Sequence, residues 1–151
     1  SHEDESRWSD EVRRIQLITR GQCMSARMHF LKMKMPRTYR HLLSSGITED
    51  YTLGFAHDIG FRAGTSRPFC WYDWEAQEET KLKLVPFVYM DVTLRKYLVL
   101  SPSDAIQKMD VLSEEIKESQ GDWVVLWHNE SVNDYHEWNG WQQVLIHTLK
   151  Q

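Results

Sequence analysis

Helix-like and strand-like apolar patterns alternate along this chain of 151 residues. Spacing of three and four residues predicts the helices, which are 6–20, 36–46, 93–100, 101–120 and 140–150. Apolar runs predict the strands, which are 23–30, 82–90 and 123–127. The pieces 51–56 and 59–63 are predicted as two strands or as a strand and a turn, and 69–74 as an aromatic strand or loop. This order predicts an α/β fold with parallel strands and flanking helices, arranged as an open doubly wound sheet or as part of a (β/α) barrel.

Composition and charge exclude several classes of protein. The formal net charge is −4 and the chain has no basic run, which argues against a nucleic-acid partner. The longest apolar run, residues 84–90, is far shorter than the roughly 20 residues of a membrane helix. The acidic start, residues 1–6, is unlike a signal peptide. We therefore expect a soluble chain without a membrane span, in which residues 1–151 are a single domain or part of one.

Titratable and polar residues stand at or just beyond the ends of four predicted strands. The carboxyl ends of parallel strands meet at one edge of a sheet, where active sites form. The sequence therefore predicts a polar cluster there, and its candidate members are Arg27, His29, Arg62, Asp91, His128 and Asn129.

Each of these candidates also has a purely structural interpretation. Asp91 could cap the helix that follows it. His29 and His128 could be structural histidines, and Arg62 could pair with a distant carboxylate. The chain also has seven tryptophans, and such side chains fill cores or stack on sugar rings. The tryptophans considered for sugar stacking are Trp71, Trp74 and Trp127.

Five stretches, in this order and spacing, resemble the polysaccharide deacetylase family, also called the NodB homology domain. They are Arg27-Met28-His29-Phe30-Leu31, Asp50-Tyr51-Thr52-Leu53-Gly54-Phe55, Gly60-Phe61-Arg62-Ala63-Gly64-Thr65-Ser66-Arg67-Pro68-Phe69, Met90-Asp91-Val92-Thr93-Leu94 and Leu126-Trp127-His128-Asn129-Glu130. The resemblance implies a distorted (β/α) barrel and metal-dependent removal of acetyl groups from N-acetylated sugars.

The resemblance also implies roles for individual residues. Arg62, with Pro68 after it, is similar to the family's third motif and would orient a base carboxylate. Asp91 would be the fourth-motif carboxylate that keeps a histidine protonated. His128, with Leu126 two residues before it, would protonate the leaving amine as in the fifth motif. The residues expected to contact the carbohydrate are Arg27, His29, Trp71, Trp74, Trp127 and Asn129.

The first and second family motifs, which supply the base and the metal ligands, do not occur in this chain. The resemblance therefore implies the C-terminal part of a deacetylase-like barrel, with zinc or another divalent metal held by ligands outside the chain. Two alternatives stay open. One is a catalytically inactive carbohydrate-binding or scaffold domain with the same fold, and the other is an unrelated small α/β domain that is complete in 151 residues.

Overall fold

The computed structural model describes residues 5–21 and 23–151. The helices are α1 (Glu5–Thr19), α2 (Arg37–Ser44), α3 (Pro102–Glu118) and α4 (Gln142–Thr148). The strands are β1 (Ser25–Ala26), β2 (Glu49–Asp50), β3 (Phe69–Asp73), β4 (Glu78–Leu84), β5 (Tyr89–Met90) and β6 (Val125–Leu126). Three short 3-10 helices occur at His29–Leu31, Asn129–Ser131 and His136–Trp138, and a π-helix spans Thr93–Tyr97.

The chain divides into two compact units. The first unit comprises the residues up to Leu53 together with Pro68–Val85, and the second comprises Gly54–Arg67 together with Pro86–Gln151. One of its boundaries, between Val85 and Pro86, separates β4 from β5 inside the apolar run that the sequence predicts as one strand. A proline lacks the N–H that a continuous strand needs at that point.

The first unit contains a four-stranded sheet in the order β1-β2-β4-β3. The pairs β1–β2 and β2–β4 are parallel, and β3–β4 is an antiparallel hairpin at the edge of the sheet. Apolar side chains from helices and sheet form its core: Trp8, Val12, Met28, Tyr39, Leu42, Ile47, Trp71, Leu82 and Leu84. Trp8 and Val12 lie four residues apart in α1, and Tyr39 and Leu42 lie three residues apart in α2, which is the helical spacing that the sequence shows for both helices.

The second unit contains the parallel pair β5–β6, in which Tyr89 is opposite Val125 and Met90 is opposite Leu126. Its core combines this pair with α3, α4 and the tryptophans of residues 136–141: Val88, Tyr89, Leu94, Ala105, Met109, Ile116, Trp138, Trp141 and Val144. Helix α3 begins where its sequence predicts, because the Ser101 hydroxyl accepts a hydrogen bond from the Asp104 N–H and Pro102 takes the first turn.

The fold class is confirmed at the level of a mixed α/β chain with parallel strand pairs and flanking helices. The described residues form no closed barrel. Residues 51–56 and 59–63 are predicted as two strands or as a strand and a turn. The strand part of this prediction is wrong, because the structure describes all of 51–63 and shows bends, turns and irregular backbone there. Gly60 in this segment adopts a φ of +99°, which interrupts extended backbone.

The remaining differences concern element lengths and one helix type. Strand 23–30 shortens to Ser25–Ala26 and is followed by a 3-10 turn, and the predicted helix over 93–100 is a π-helix. In the part of the chain that the structure describes, no helix is both long enough and apolar enough to cross a membrane.

Candidate functional site

Asp91 and His128 form the candidate site, in the second unit. Strands β5 and β6 run parallel, so residues that follow them leave the same edge of the pair. Asp91 comes directly after β5, and His128 comes two residues after β6. The imidazole Nδ1 of His128 lies 2.6 Å from Oδ1 of Asp91. This geometry is consistent with the predicted polar cluster at the ends of the strands, as far as Asp91 and His128 are concerned.

The Asp91 carboxylate is fully buried, and four donors surround it. Oδ1 receives the Val92 N–H at 2.8 Å in addition to the His128 ring. Oδ2 receives the backbone N–H of His128 at 2.9 Å and the hydroxyl of Ser131. A buried carboxylate is tolerated when such donors replace its lost hydration. The π-helix that follows has Val92 as its N-cap residue with no side-chain cap, and Asp91 accepts only the Val92 N–H there, so three of its four donors come from His128 and Ser131.

The second ring nitrogen of His128, Nε2, is free to exchange a proton with a ligand. Because Nδ1 faces a carboxylate that only accepts, it carries a proton, and the neutral ring keeps its lone pair on Nε2. The His128 side chain is 40% exposed, and within the described residues Nε2 has no hydrogen-bond partner. A histidine oriented in this way by a carboxylate can donate or accept a proton through Nε2.

The segment after β6 holds this pair in place. Asn129–Ser131 forms one turn of 3-10 helix, and the indole Nε1 of Trp127 donates to the Ser131 carbonyl at 3.3 Å. Trp127 is partly buried and packs against the core of the second unit, whereas Asn129 is exposed. Ser131 is a site residue that the sequence analysis does not identify, because its role depends on the turn that returns its hydroxyl to Asp91.

Arg62 lies exposed in a turn of the second unit. Among the described residues it makes no hydrogen bond or ion pair with Asp91 or His128. Its predicted partner is a carboxylate outside this chain, so its role stays a prediction. The nearby Arg67, in contrast, is held by a hydrogen bond, because its guanidinium donates to the Ser119 carbonyl at 2.7 Å just after the end of α3.

The other predicted carbohydrate contacts lie in the first unit. Arg27 donates through Nε to the Tyr51 carbonyl at 3.1 Å, and exposed His29 stacks on Phe30 with ring centroids 4.1 Å apart. Trp71 is only 6% exposed because it packs in the core of this unit. Trp74 is 77% exposed.

Asp50, also in the first unit, is a second buried carboxylate that the sequence analysis does not select. It ends β2, and its main contacts are with Thr52, whose hydroxyl donates to Oδ1 at 2.6 Å. Burial raises the pKa of Asp50, while the Thr52 hydrogen bonds and the charge of Arg27 act in the opposite direction. The sequence places a strand after Asp50, whereas the structure places Asp50 at the carboxyl end of one.

The described residues do not by themselves form a metal site. Across 5–21 and 23–151, no group of three or more His, Cys, Asp or Glu side chains is arranged to hold a metal ion. The resemblance assigns the metal ligands to residues outside this chain, so the zinc expectation concerns those residues.

The chain matches no protein-family model, no curated protein and no solved structure. The contact between Asp91 and His128 and the sequence resemblance are therefore the two features that point to a function.

Proposed function

We propose that this chain is part of a hydrolase of the polysaccharide deacetylase type, which removes acetyl groups from N-acetylated carbohydrate. The observation that supports the proposal is the 2.6 Å contact between His128 Nδ1 and the buried carboxylate of Asp91. It leaves Nε2 accessible at the edge where two parallel strands end. The resemblance supplies the reaction class, and the geometry supplies a residue able to perform one step of it.

In the proposed reaction, water adds to the amide carbonyl carbon and the C–N bond then breaks. The nitrogen that leaves needs a proton, because an amide anion is a very poor leaving group. The His128 imidazolium gives that proton from Nε2, so the sugar leaves as a free amine and acetate is the second product. Asp91 orients the ring and stabilises its positive charge before the transfer.

The proposal assigns only this proton transfer to the residues of the chain. The base that accepts the water's proton, and the ligands of zinc or another divalent metal, belong to the rest of the protein. Arg62 is proposed to orient that base through its guanidinium, which can bind a carboxylate with two parallel hydrogen bonds.

The test is acetate release from N-acetylated chito-oligosaccharides by the longest natural form of the protein. We expect His128→Ala to lower kcat by about 10²- to 10⁴-fold, the usual contribution of a general acid. His147→Ala is a matched control, because His147 also contacts an aspartate, Asp110, at 2.6 Å, but that carboxylate is half exposed. Equal rates for the unmodified protein and His128→Ala would exclude the proposed role of His128.

A second candidate function is a carbohydrate-binding or scaffold domain without catalysis. The observation that favours it is the exposed aromatic pair Tyr72 and Trp74, whose ring centroids lie 4.8 Å apart. Exposed Trp and Tyr rings offer flat apolar surface to a ligand. Calorimetric titration with the same oligosaccharides distinguishes the two functions. The binding-only function requires affinity that Trp74→Ala removes and Trp74→Phe retains, with no acetate released.

A further inference from the structure

Ser131 is a buried residue in contact with the candidate site. It is fully buried, and its hydroxyl contacts Oδ2 of Asp91. The same hydroxyl lies 2.9 Å from the carbonyl oxygen of His128. A hydroxyl has only one proton, so it can donate fully to only one of these two acceptors.

The two acceptors differ in charge and in their other partners. The His128 carbonyl already receives the Ser131 backbone N–H at 3.1 Å. Asp91 Oδ2 belongs to a buried carboxylate, and hydrogen bonds to a charged acceptor are about twice as strong as neutral ones. The Ser131 proton therefore goes to Asp91.

This bond determines the plane of the Asp91 carboxylate. Oδ1 faces the His128 ring and the Val92 N–H, whereas Oδ2 is held by Ser131 and the His128 N–H. Without Ser131, the backbone N–H of His128 would be the one remaining donor to Oδ2 among the described residues. The carboxylate could then rotate away from the ring that it orients.

The turn that carries Ser131 is itself anchored. The Ser131 backbone N–H donates to the His128 carbonyl, and the Ser131 carbonyl accepts the Trp127 indole N–H at 3.3 Å. The turn that begins at His128 therefore places the Ser131 hydroxyl against Asp91. The same loop thus carries His128 and the residue that holds Asp91 in place.

We propose that Ser131 is a positioning residue that holds Asp91, and through it His128, in the orientation needed for proton transfer. This inference rests on the proposed function, since it concerns the same Asp91–His128 pair. It predicts that Ser131 controls how long the proton on His128 Nδ1 stays hydrogen-bonded to the Asp91 carboxylate.

The test is the exchange rate of the His128 Nδ1 proton with water, measured by NMR on the full chain. We expect Ser131→Ala to raise this rate by about ten-fold, as the loss of one charge-assisted hydrogen bond predicts. Ser131→Thr keeps the hydroxyl and should restore slow exchange. Ser113→Ala is the matched control, because Ser113 is also buried in the second unit but its hydroxyl donates to the Asp110 carbonyl.

Unchanged exchange in a folded Ser131→Ala protein would overturn the inference, and so would fast exchange in a folded Ser131→Thr protein. The unmodified protein gives a second measurement if Ser131→Ala does not fold. The proton that Ser131 donates to the buried Asp91 carboxylate is expected to exchange slowly with water, so rapid exchange of that hydroxyl proton contradicts the inference.

Acetate release separates this inference from the proposed function. If both hold, Ser131→Ala lowers kcat and leaves KM unchanged, because the lost interaction acts on the proton-transfer step. If His128→Ala retains the full rate, the proposed function fails, while the exchange measurement still decides whether Ser131 holds Asp91. If only Ser131 is misassigned, His128→Ala loses activity and Ser131→Ala does not.

Discussion

Asp91 holds His128 at two points, the ring and the backbone. Oδ1 lies 2.6 Å from the imidazole Nδ1, and Oδ2 accepts the backbone N–H of the same residue at 2.9 Å. The ring orientation is therefore tied to the path of the main chain after β6. The His147–Asp110 contact has the same length but uses Nε2 and a half-exposed carboxylate, and among the described residues Asp110 accepts no hydrogen bond from the His147 backbone.

Replacing Asp91 by Asn should weaken both the fold and the proposed activity. The amide group presents N–H donors to neighbours that are themselves donors, which leaves buried groups unpaired at a cost of about 1–3 kcal/mol. The ring also loses the acceptor that keeps its proton on Nδ1, so kcat for acetate release should fall by about 10²- to 10⁴-fold. Urea unfolding and acetate assays measure the two effects.

Asp110→Asn is the control for this substitution. Its carboxylate is exposed to water, so we expect little change in the free energy of unfolding and none in acetate release. Equal losses of stability in the two variants would show that the burial of Asp91 has no energetic consequence.

The pairing of Asp91 with His128 was accessible to sequence analysis for a physical reason. Each residue closely follows a short apolar run, and both runs become neighbouring parallel strands. Parallel neighbours end at the same edge, so the order of apolar and polar residues is enough to bring the two side chains together.

Other parts of the site depend on geometry that the apolar pattern does not encode. The predicted strand before Arg62 is absent, and the segment around it follows the turns set by Gly60 and Gly64, which both have positive φ. Ser131 reaches Asp91 because a 3-10 turn reverses the chain, and no apolar period marks such a turn.

The edge hairpin is predicted only in part, with 69–74 as a strand or loop and 82–84 inside a longer apolar strand, while residues 78–81 are not predicted. Strand β4 alternates correctly, but only Leu82 and Leu84 are buried, and charged residues fill most of its other positions. Its partner β3 has a register irregularity between Cys70 and Tyr72 that disturbs its own alternation. Continuous apolar runs therefore predict β5 and β6, whereas neither such a run nor a regular alternation extends over the whole of this hairpin.

Gly54→Ala should destabilise the second unit. A Cβ atom at Gly54 would lie 2.2 Å from Cζ of the Phe87 ring, far inside contact distance. Phe87 is fully buried, so the ring cannot move into solvent, and such overpacking costs about 1–3 kcal/mol. The free energy of unfolding measures the loss. Adding Phe87→Leu should recover part of it in a double-mutant cycle, whereas purely additive effects would contradict the steric explanation.

Ser101→Ala should shorten or destabilise helix α3. The Ser101 hydroxyl accepts the Asp104 N–H at 3.2 Å, and loss of such a cap costs about 1 kcal/mol. Ser101→Asn keeps an acceptor at the same position and should retain most of the stability. Thermal unfolding of both variants checks the prediction, and equal melting temperatures for Ala and Asn would show that the cap is not the cause.

The Arg40–Asp73 ion pair in the first unit should make stability depend on acid pH. Two hydrogen bonds from the Arg40 guanidinium, at 2.6 and 2.8 Å, lower the pKa of Asp73 to about 2, assisted by backbone N–H groups of the following turn. The unfolded chain has the ordinary value of 3.8. Because the folded-state pKa is the lower one, the stabilisation is complete above pH 4 and is lost as the pH falls from about 4 towards 2.

Urea unfolding of the unmodified protein and of Arg40→Met between pH 2 and 6 tests this dependence. Without the guanidinium, the pKa of Asp73 moves back towards that of the unfolded chain, so the variant should show a flatter decline below pH 4. Lys117→Met is the control, because the Lys117–Glu114 pair is exposed on both sides and should leave the pH profile unchanged. Parallel profiles for the unmodified protein and Arg40→Met would mean that acid unfolding proceeds through other carboxylates, and Asp73 would then have no part in it.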